Sequence, residues 1–354
     1  MAQSYFSPTS FWNTPLPIDA PTHPDNEHFL QLSRESINAP GMHINLHEWT
    51  VPIYRVAADT PKIAVTRRME EDPQSQAFLA NSKPYLYPGH RLGLHPDFEA
   101  GVPVPPWARP DPQEDAHVAV VDEASGLAWD MWGARRSADG AWQTCTGMAY
   151  RLDGSGVFDP ADFAARNGES IHPYGPSRAT GVPAIAGLIR HEDVIAGRIP
   201  HKLLFAARCS GLLAHYFPPT LWTDGGVPGG VPGGSVLQLN PKLDLDKLDL
   251  TRGARVVARA LQEFGAVLVD YAEGFTLGGE GLWNDPAGRT WRGLLDEDSL
   301  FGLGFDHFRY LAPEALGQKL VEKGMVPFPH RLISAEYRKA TGLMIDGQPP
   351  LTPR

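Results

Sequence analysis

Residues 117–132 read HVAVVDEASGLAWDMW, in which two runs of strand-forming residues flank the short polar segment EASG. This pattern predicts a β-hairpin that turns at residues 123–126. The predicted register places Ala119 opposite Asp130 and His117 opposite Trp132. Because successive side chains of a strand point to opposite faces, the hairpin has two faces of different composition.

One face of the predicted hairpin is typical of a protein core, and the other is not. The first face carries large apolar side chains: Val118, Val120, Trp129 and Met131. The second face carries His117, Ala119, Val121, Ala128, Asp130 and Trp132. Small residues leave a depression in a sheet, a neighbouring Trp offers a flat apolar surface, and His or Asp can transfer protons. An open face of this kind predicts a carbohydrate cleft, whereas a covered one makes His117 and Asp130 structural groups held by hydrogen bonds.

The remaining sequence favours a mainly β fold. The 354 residues include 36 Gly and 34 Pro, which indicates many turns and long loops between short strands. Strand-like segments have period two, and no sustained alternation of strands and helices is present, which favours antiparallel sheets. We therefore expect a single large β-rich domain, an antiparallel β-sandwich or jelly-roll-like fold with a few short decorating helices. A Pro-rich N-terminal extension (about 1–24) and a helical, Pro-rich C-terminal segment (about 310–354) belong to the same domain.

Local patterns predict individual elements within this fold. The apolar stripe of residues 251–265 predicts the clearest helix, which Gly265 ends. Shorter helices are predicted at 25–36, 159–168, 189–197 and 313–324. Strands are predicted in the segments 41–56, 61–68, 141–152, 201–207 and 266–277.

Charge and hydropathy argue against two kinds of partner, nucleic acids and membranes, and the N-terminal sequence bears on where the protein is located. With 31 basic and 41 acidic residues, the net charge of −10 repels phosphate backbones, so no nucleic acid partner is expected. No run of 18 apolar residues is present, so no membrane span is expected. The N-terminus lacks the basic and apolar regions of a signal peptide. The predicted location is extracellular or periplasmic if an export signal has been removed, and otherwise cytoplasmic.

Cysteine and histidine spacing gives no clear metal motif, and no cofactor is predicted. Cys145 and Cys209 lack metal-ligand spacing, and form either one disulfide in an exported protein or two buried thiols. His43 and His47 share one predicted strand face with Asn45 and can supply two ligands to a divalent metal. The alternative for these two histidines is an ordinary polar strand face.

Three functions fit the second hairpin face. Glycoside hydrolysis needs two carboxyl groups, for which Asp130 and Asp270 are the candidates and Glu273 and Glu280 the reserves. In this hypothesis Trp132 and Trp142 are the platforms on which sugar rings stack.

A polysaccharide lyase acting on a uronate is the second hypothesis. It needs a base, an acid and a group that neutralises the sugar carboxylate, and His117, Tyr174 and Arg178 are the candidates. The catalytic candidates over both reactions are thus Asp130, Asp270 and His117. A non-catalytic, glycan-binding envelope protein is the third hypothesis.

Three further stretches, residues 116–135, 177–206 and 234–271, resemble uncharacterised, often secreted bacterial proteins. They read AHVAVVDEASGLAWDMWGAR, SRATGVPAIAGLIRHEDVIAGRIPHKLLFA and GSVLQLNPKLDLDKLDLTRGARVVARALQEFGAVLVDY. The resemblance implies an extracellular or envelope role. It carries no activity and assigns no site residue.

Overall fold

The computed structural model of the chain describes residues 4–37, 41–67, 96–158, 178, 180–211, 215–221, 225–319 and 321–322. The helices are α1 (Asn26–Glu35), α2 (His191–Ala196) and α3 (Arg252–Glu263). The strands are β1 (His43–Asn45), β2 (Val51–Arg55), β3 (Val65–Arg67), β4 (Val118–Asp122), β5 (Leu127–Trp132), β6 (Arg135–Arg136), β7 (Trp142–Thr144), β8 (Thr146–Arg151), β9 (Leu203–Ala207), β10 (His215–Tyr216), β11 (Val236–Leu239), β12 (Ala266–Asp270), β13 (Phe275–Gly278), β14 (Glu280–Gly281), β15 (Phe308–Tyr310) and β16 (Val321–Glu322).

Two large sheets form the body of the protein. One has six strands in the order β1-β13-β9-β12-β11-β15, and the other has five in the order β14-β2-β4-β5-β8. Smaller sheets pair β3-β7-β6 and β10-β16. The mainly β, sandwich-like fold predicted from the sequence is confirmed. Both large sheets are mixed, because β1–β13, β9–β12, β14–β2 and β2–β4 pair in parallel.

The hairpin of β4 and β5 has the register predicted from its sequence. Ala119 pairs with Asp130, and Val121 pairs with Ala128. Gly126 ends the turn with a φ of 70°, a left-handed conformation that glycine adopts at little steric cost. The short turn therefore fixes which residues share each face.

Three apolar layers hold the sheets together. The central layer packs Ala119 and Val121 of the five-stranded sheet with Val267 and Val269 of the six-stranded sheet. Helices α1 and α3 contribute to the layer on the outer face of the six-stranded sheet. The small sheet of β3, β7 and β6 contributes to the layer on the outer face of the five-stranded sheet. Both faces of each large sheet are therefore packed.

Most local predictions agree with the structure, but one helix is wrong and three predicted strand segments are interrupted. The helices predicted at 25–36, 189–197 and 251–265 are α1, α2 and α3. The helix predicted at 313–324 is wrong over its described part. A 3-10 turn at Pro313–Leu316 ends at Gly317, whose φ of 68° departs from the helical conformation. The strand segments predicted at 41–56, 141–152 and 266–277 each contain two separate strands, and the helix predicted at 159–168 lies outside the described residues.

The cysteines and the N-terminal segment are part of the packed body. Cys145 and Cys209 are both buried free thiols, so the second alternative for them is confirmed. Trp12 is fully buried, and its indole nitrogen donates to the Gly156 carbonyl over 2.8 Å. Among the described helices, none has the length and apolar character that crossing a membrane requires.

Candidate functional site

The second hairpin face is a covered face, so its interpretation as an open depression is wrong. Ala119, Val121 and Ala128 are fully buried, and Asp130 is 0% exposed. The residues of β12 and the segment 182–186 pack over them in the central layer. The small side chains make room for this second layer of protein, which occupies the space that a sugar would need.

Asp130 is a hydrogen-bonded group of the interior. Its Oδ1 accepts from the Tyr150 hydroxyl over 2.6 Å, and its Oδ2 accepts from the Ala184 amide over 2.5 Å. Burial raises the pKa of Asp130 to about 7, against the opposing effects of these hydrogen bonds and of Arg178. The carboxyl therefore links β5, β8 and the covering segment.

Arg178 lies beside Asp270 and close enough to Asp130 to act on it electrostatically, so the three groups form one polar cluster. One guanidinium nitrogen of Arg178 lies 3.8 Å from Asp270 Oδ2, and another donates to the Ala184 carbonyl. Burial lowers the pKa of Arg178, and the carboxylates around it oppose that effect. Arg178 is 6% exposed, so its predicted role as the group that neutralises a substrate carboxylate is not supported.

His117 lies at the edge of the same cluster and is almost fully buried. Its Nε2 is 3.8 Å from Asp115 Oδ2, and burial lowers its pKa to about 4 against the effect of Asp115. An imidazole with so low a pKa is a weak base at neutral pH. The structure thus brings together His117, Asp130, Arg178 and Asp270, as the sequence predicts, but seals three of them from solvent.

The two predicted sugar platforms differ in their surroundings. Trp142 of β7 is 1% exposed and belongs to the outer apolar layer of the five-stranded sheet, so its prediction as a platform is wrong, because no solvent-open ring face is left for a sugar. Trp132 is half-buried and donates its indole N–H to Asp115 over 2.9 Å. Tyr174 lies outside the described residues.

The reserve carboxylates and the candidate metal ligands are also engaged elsewhere. Glu280 is fully buried and pairs with Arg55 over 2.6 Å, whereas Glu273 accepts from the Tyr271 hydroxyl. His43 lies 3.7 Å from Glu297, and His47 is exposed beyond the end of β1. No group of three or more His, Cys, Asp or Glu placed to hold a metal ion occurs among the residues that the structure describes.

An open cleft, which the sequence did not predict, lies at the edge of the five-stranded sheet, where β14 pairs with β2. It has a volume of about 100 Å³, and we call it the aromatic cleft. Its lining residues are Ile53, Tyr54, Arg55, Trp107, Gly281, Leu282, Trp283, Asn284, Asp285, Pro286 and Arg289. The volume is small, but aromatic walls with a few polar groups beside them are typical of small-molecule and sugar sites.

The two indole walls of the aromatic cleft are held in place by neighbouring groups. Trp283 donates its indole N–H to the Pro110 carbonyl over 3.1 Å. Its ring lies over Gly281, where a Cβ would come within 2.3 Å of the indole. The ring of Trp107 meets that of Tyr54 edge to face at 5.1 Å, and Asn284 donates to the Trp107 carbonyl. Rigid aromatic walls lose little conformational entropy when a ligand binds.

Asn284 adds a strained backbone to this cleft. Its φ of 124° is a conformation that non-glycine residues rarely adopt, and it costs on the order of 1–3 kcal/mol. The hydrogen bond of its side chain to the Trp107 carbonyl helps to hold it there. Such strain is concentrated at ligand-binding sites, which marks this loop as a functional candidate.

The two arginines of the aromatic cleft are both compensated by carboxylates. Arg55 pairs with Glu280, and Arg289 pairs with Asp285 over 3.1 Å. Burial opposes ionisation of Asp285, but the hydrogen bonds from Arg289 outweigh it and lower the pKa of the carboxyl. The cleft therefore offers polar groups without a large excess of either charge.

Comparison of the chain with protein-family models, with curated proteins and with solved structures found no match to any of them. The function is therefore argued from the geometry of these sites.

Proposed function

We propose that this protein binds a carbohydrate chain in the aromatic cleft. The observation that carries the proposal is the pair of half-buried indoles, Trp107 and Trp283, fixed around a solvent-open space. A sugar ring has an apolar face that can stack on an indole and hydroxyl groups that need hydrogen-bond partners. The side chains of Asn284, Asp285 and Arg289 provide such partners beside the rings.

The aromatic cleft supports binding better than hydrolysis. Hydrolysis requires two carboxyl groups at the scissile bond, one of them protonated. Among the described lining residues, Asp285 is the carboxyl group, and its pKa is lowered rather than raised. Glycan binding without cleavage is therefore the function that this geometry favours.

Binding is tested by affinity electrophoresis and calorimetry over soluble polysaccharides, including xylan, mannan, mixed-linkage glucan and polygalacturonate. Trp107→Ala and Trp283→Ala should each weaken binding by at least about tenfold, as expected for anchoring aromatic residues. Trp49→Ala is the matched control, because Trp49 is 47% exposed and is not one of the residues that line the aromatic cleft. Equal affinities of the wild type and both cleft variants would refute the proposal.

Glycoside hydrolysis at the buried cluster is a second candidate. It is favoured by the close association of Asp130, whose pKa is raised to about 7, with Asp270 through Arg178. Two carboxyl groups in contrasting environments are what acid–base catalysis requires. Catalysis there needs the segment 182–186 to move away from Asp130, since the carboxyl is fully buried.

Product analysis separates these candidates. Formation of new reducing ends that Asp130→Asn and Asp270→Asn both abolish would support hydrolysis, and unsaturated uronate products would instead support a lyase. Retention of polysaccharide without any product, weakened by the cleft variants alone, would support binding only.

A further inference from the structure

A second concave surface adjoins the aromatic cleft and differs from it in charge. It has a volume of about 370 Å³ and shares Trp107 and Asn284 with the aromatic cleft. Arg109 and Arg136 supply its charged groups, and we call it the arginine cleft. Because the two clefts meet at the same Trp and Asn, one extended ligand can contact both.

The arginines of this second cleft lack the carboxylate partners found in the first. Among the described residues, no acidic side chain lies within ion-pair distance of Arg109 or Arg136, although both are exposed. Arg136 is held by a hydrogen bond of 2.5 Å to the Pro106 carbonyl, and the backbone amide of Arg109 donates to the Tyr54 hydroxyl over 2.8 Å. Two uncompensated cations thus converge on one depression in a chain whose net charge is −10.

Guanidinium groups present several N–H donors in a planar fork that matches a carboxylate or sulfate group. A neutral sugar leaves this charge unused, whereas a sugar that carries an anionic group satisfies it. Because the two clefts share Trp107 and Asn284, such a group can belong to a sugar unit next to the ring that stacks on an indole of the aromatic cleft.

We propose that the ligand is an acidic polysaccharide, whose carboxylate or sulfate groups bind Arg109 and Arg136 while an adjacent ring occupies the aromatic cleft. This inference rests on the proposed function and specifies the substrate class of the same site. It also accounts for how a protein with a net charge of −10 can bind an acidic polymer, because two exposed arginines without carboxylate partners among the described residues line this cleft.

The test compares polygalacturonate, dextran sulfate and neutral dextran as ligands of the full-length protein at low and high salt. The double variant Arg109→Gln/Arg136→Gln should lose at least about tenfold in affinity for an acidic polymer and almost all of its salt dependence. Arg252→Gln/Arg259→Gln on α3 removes the same charge from a distant surface and should leave both unchanged. Competition by free galacturonate or by inorganic sulfate then identifies which anion is recognised.

The outcomes separate this inference from the proposed function. If the Trp107 and Trp283 variants weaken binding but the arginine double variant binds acidic and neutral polymers as the wild type does, only the inference is overturned. If the arginine variant loses binding and the Trp variants do not, the protein binds anions without recognising sugar rings, and the proposed function fails. A wild type that retains no polysaccharide overturns both.

Discussion

Replacing Asp130 with Asn should change how the stability of the protein depends on pH. The folded-state pKa of Asp130 is raised to about 7, whereas its ordinary value is 3.8. The folded state therefore holds the proton between about pH 4 and 7, where the unfolded state releases it. Stability contributed by that proton is present below pH 3.8 and is lost as the pH rises through 7.

The difference between the folded-state and the ordinary pKa of Asp130 corresponds to a free energy of about 4 kcal/mol. The free energy of unfolding of the wild type, relative to Asp130→Asn, should fall by about this amount between pH 4 and pH 8. The new amide can accept from only one of the two donors of Asp130, the Ala184 N–H and the Tyr150 hydroxyl, which adds a pH-independent cost of about 1–3 kcal/mol to the variant. The pH dependence of the difference, and not its value at one pH, therefore carries the test.

Urea denaturation followed by tryptophan fluorescence measures this difference at each pH. Asp139→Asn is the control, because Asp139 is fully exposed and its hydrogen bond from Ser137 lowers its pKa instead of raising it. Parallel stability curves for the wild type and Asp130→Asn over pH 4–8 would show that the carboxyl titrates as in water. The assignment of Asp130 as a buried structural group would then be wrong.

Three further substitutions test the packing of the aromatic cleft and of the protein interior. In Gly281→Ala the added Cβ would lie 2.3 Å from the Trp283 ring and displace it, so polysaccharide binding should weaken at least about tenfold while the protein stays folded. An affinity unchanged by calorimetry would contradict this. Lys202 is buried, and its ammonium group donates to the Phe11 carbonyl over 2.8 Å. Burial lowers its folded-state pKa to about 7, so between about pH 7 and 10.5 the unfolded state alone binds the proton and wild-type stability rises with pH. Lys202→Met should remove this rise; denaturation at pH 7 and 10 measures it, and the same pH dependence in wild type and variant would refute it. Trp142→Ala should destabilise the protein by about 3–5 kcal/mol, because Trp142 is buried, and should leave the affinity of the folded protein for glycan unchanged. A loss of affinity in the folded variant would show that Trp142 is a sugar platform after all.

The features that could be predicted from the sequence are those that depend on interactions between residues close together in the chain. The hairpin register follows from a four-residue turn, and the burial of Met42, Ile44 and Leu46 against the more exposed His43 follows from period-two alternation. Helix α3 follows from its apolar stripe and from Thr251, whose hydroxyl accepts from the Ala254 amide at the N-terminus. Each of these features is set by residues close together in the chain.

The covering of the hairpin could not be predicted in the same way. Alternation shows that β5 has two faces, but it does not show whether a second layer packs on each of them. That layer comes from β12 and residues 182–186, more than fifty residues farther along the chain, and it turns Asp130 from an exposed acid into an interior one. Trp142 is buried for a similar reason, since it packs in one apolar cluster with Phe98, Val102 and Trp129 of distant segments.

The aromatic cleft joins three distant stretches, which explains why it was missed. Tyr54, Trp107 and Trp283 meet only after β14 pairs with β2. Local signals were nevertheless present in the segments PPWARP at residues 105–110 and GLWND at 281–285, where a Trp lies in a loop rich in Pro or beside Gly. Loops of this kind carry binding residues more often than packed strands do.

The most direct measurement is a titration of ¹⁵N-labelled protein with oligosaccharides of the polymer it retains most strongly, observed at the indole N–H resonances. The account predicts saturable shifts of the Trp107 and Trp283 resonances, assigned with Trp→Phe variants, while those of the buried Trp129 and Trp142 stay in place. Shifts confined to Trp132, or no shift at either cleft tryptophan at saturating ligand, would contradict the claim that carbohydrate binds in the aromatic cleft.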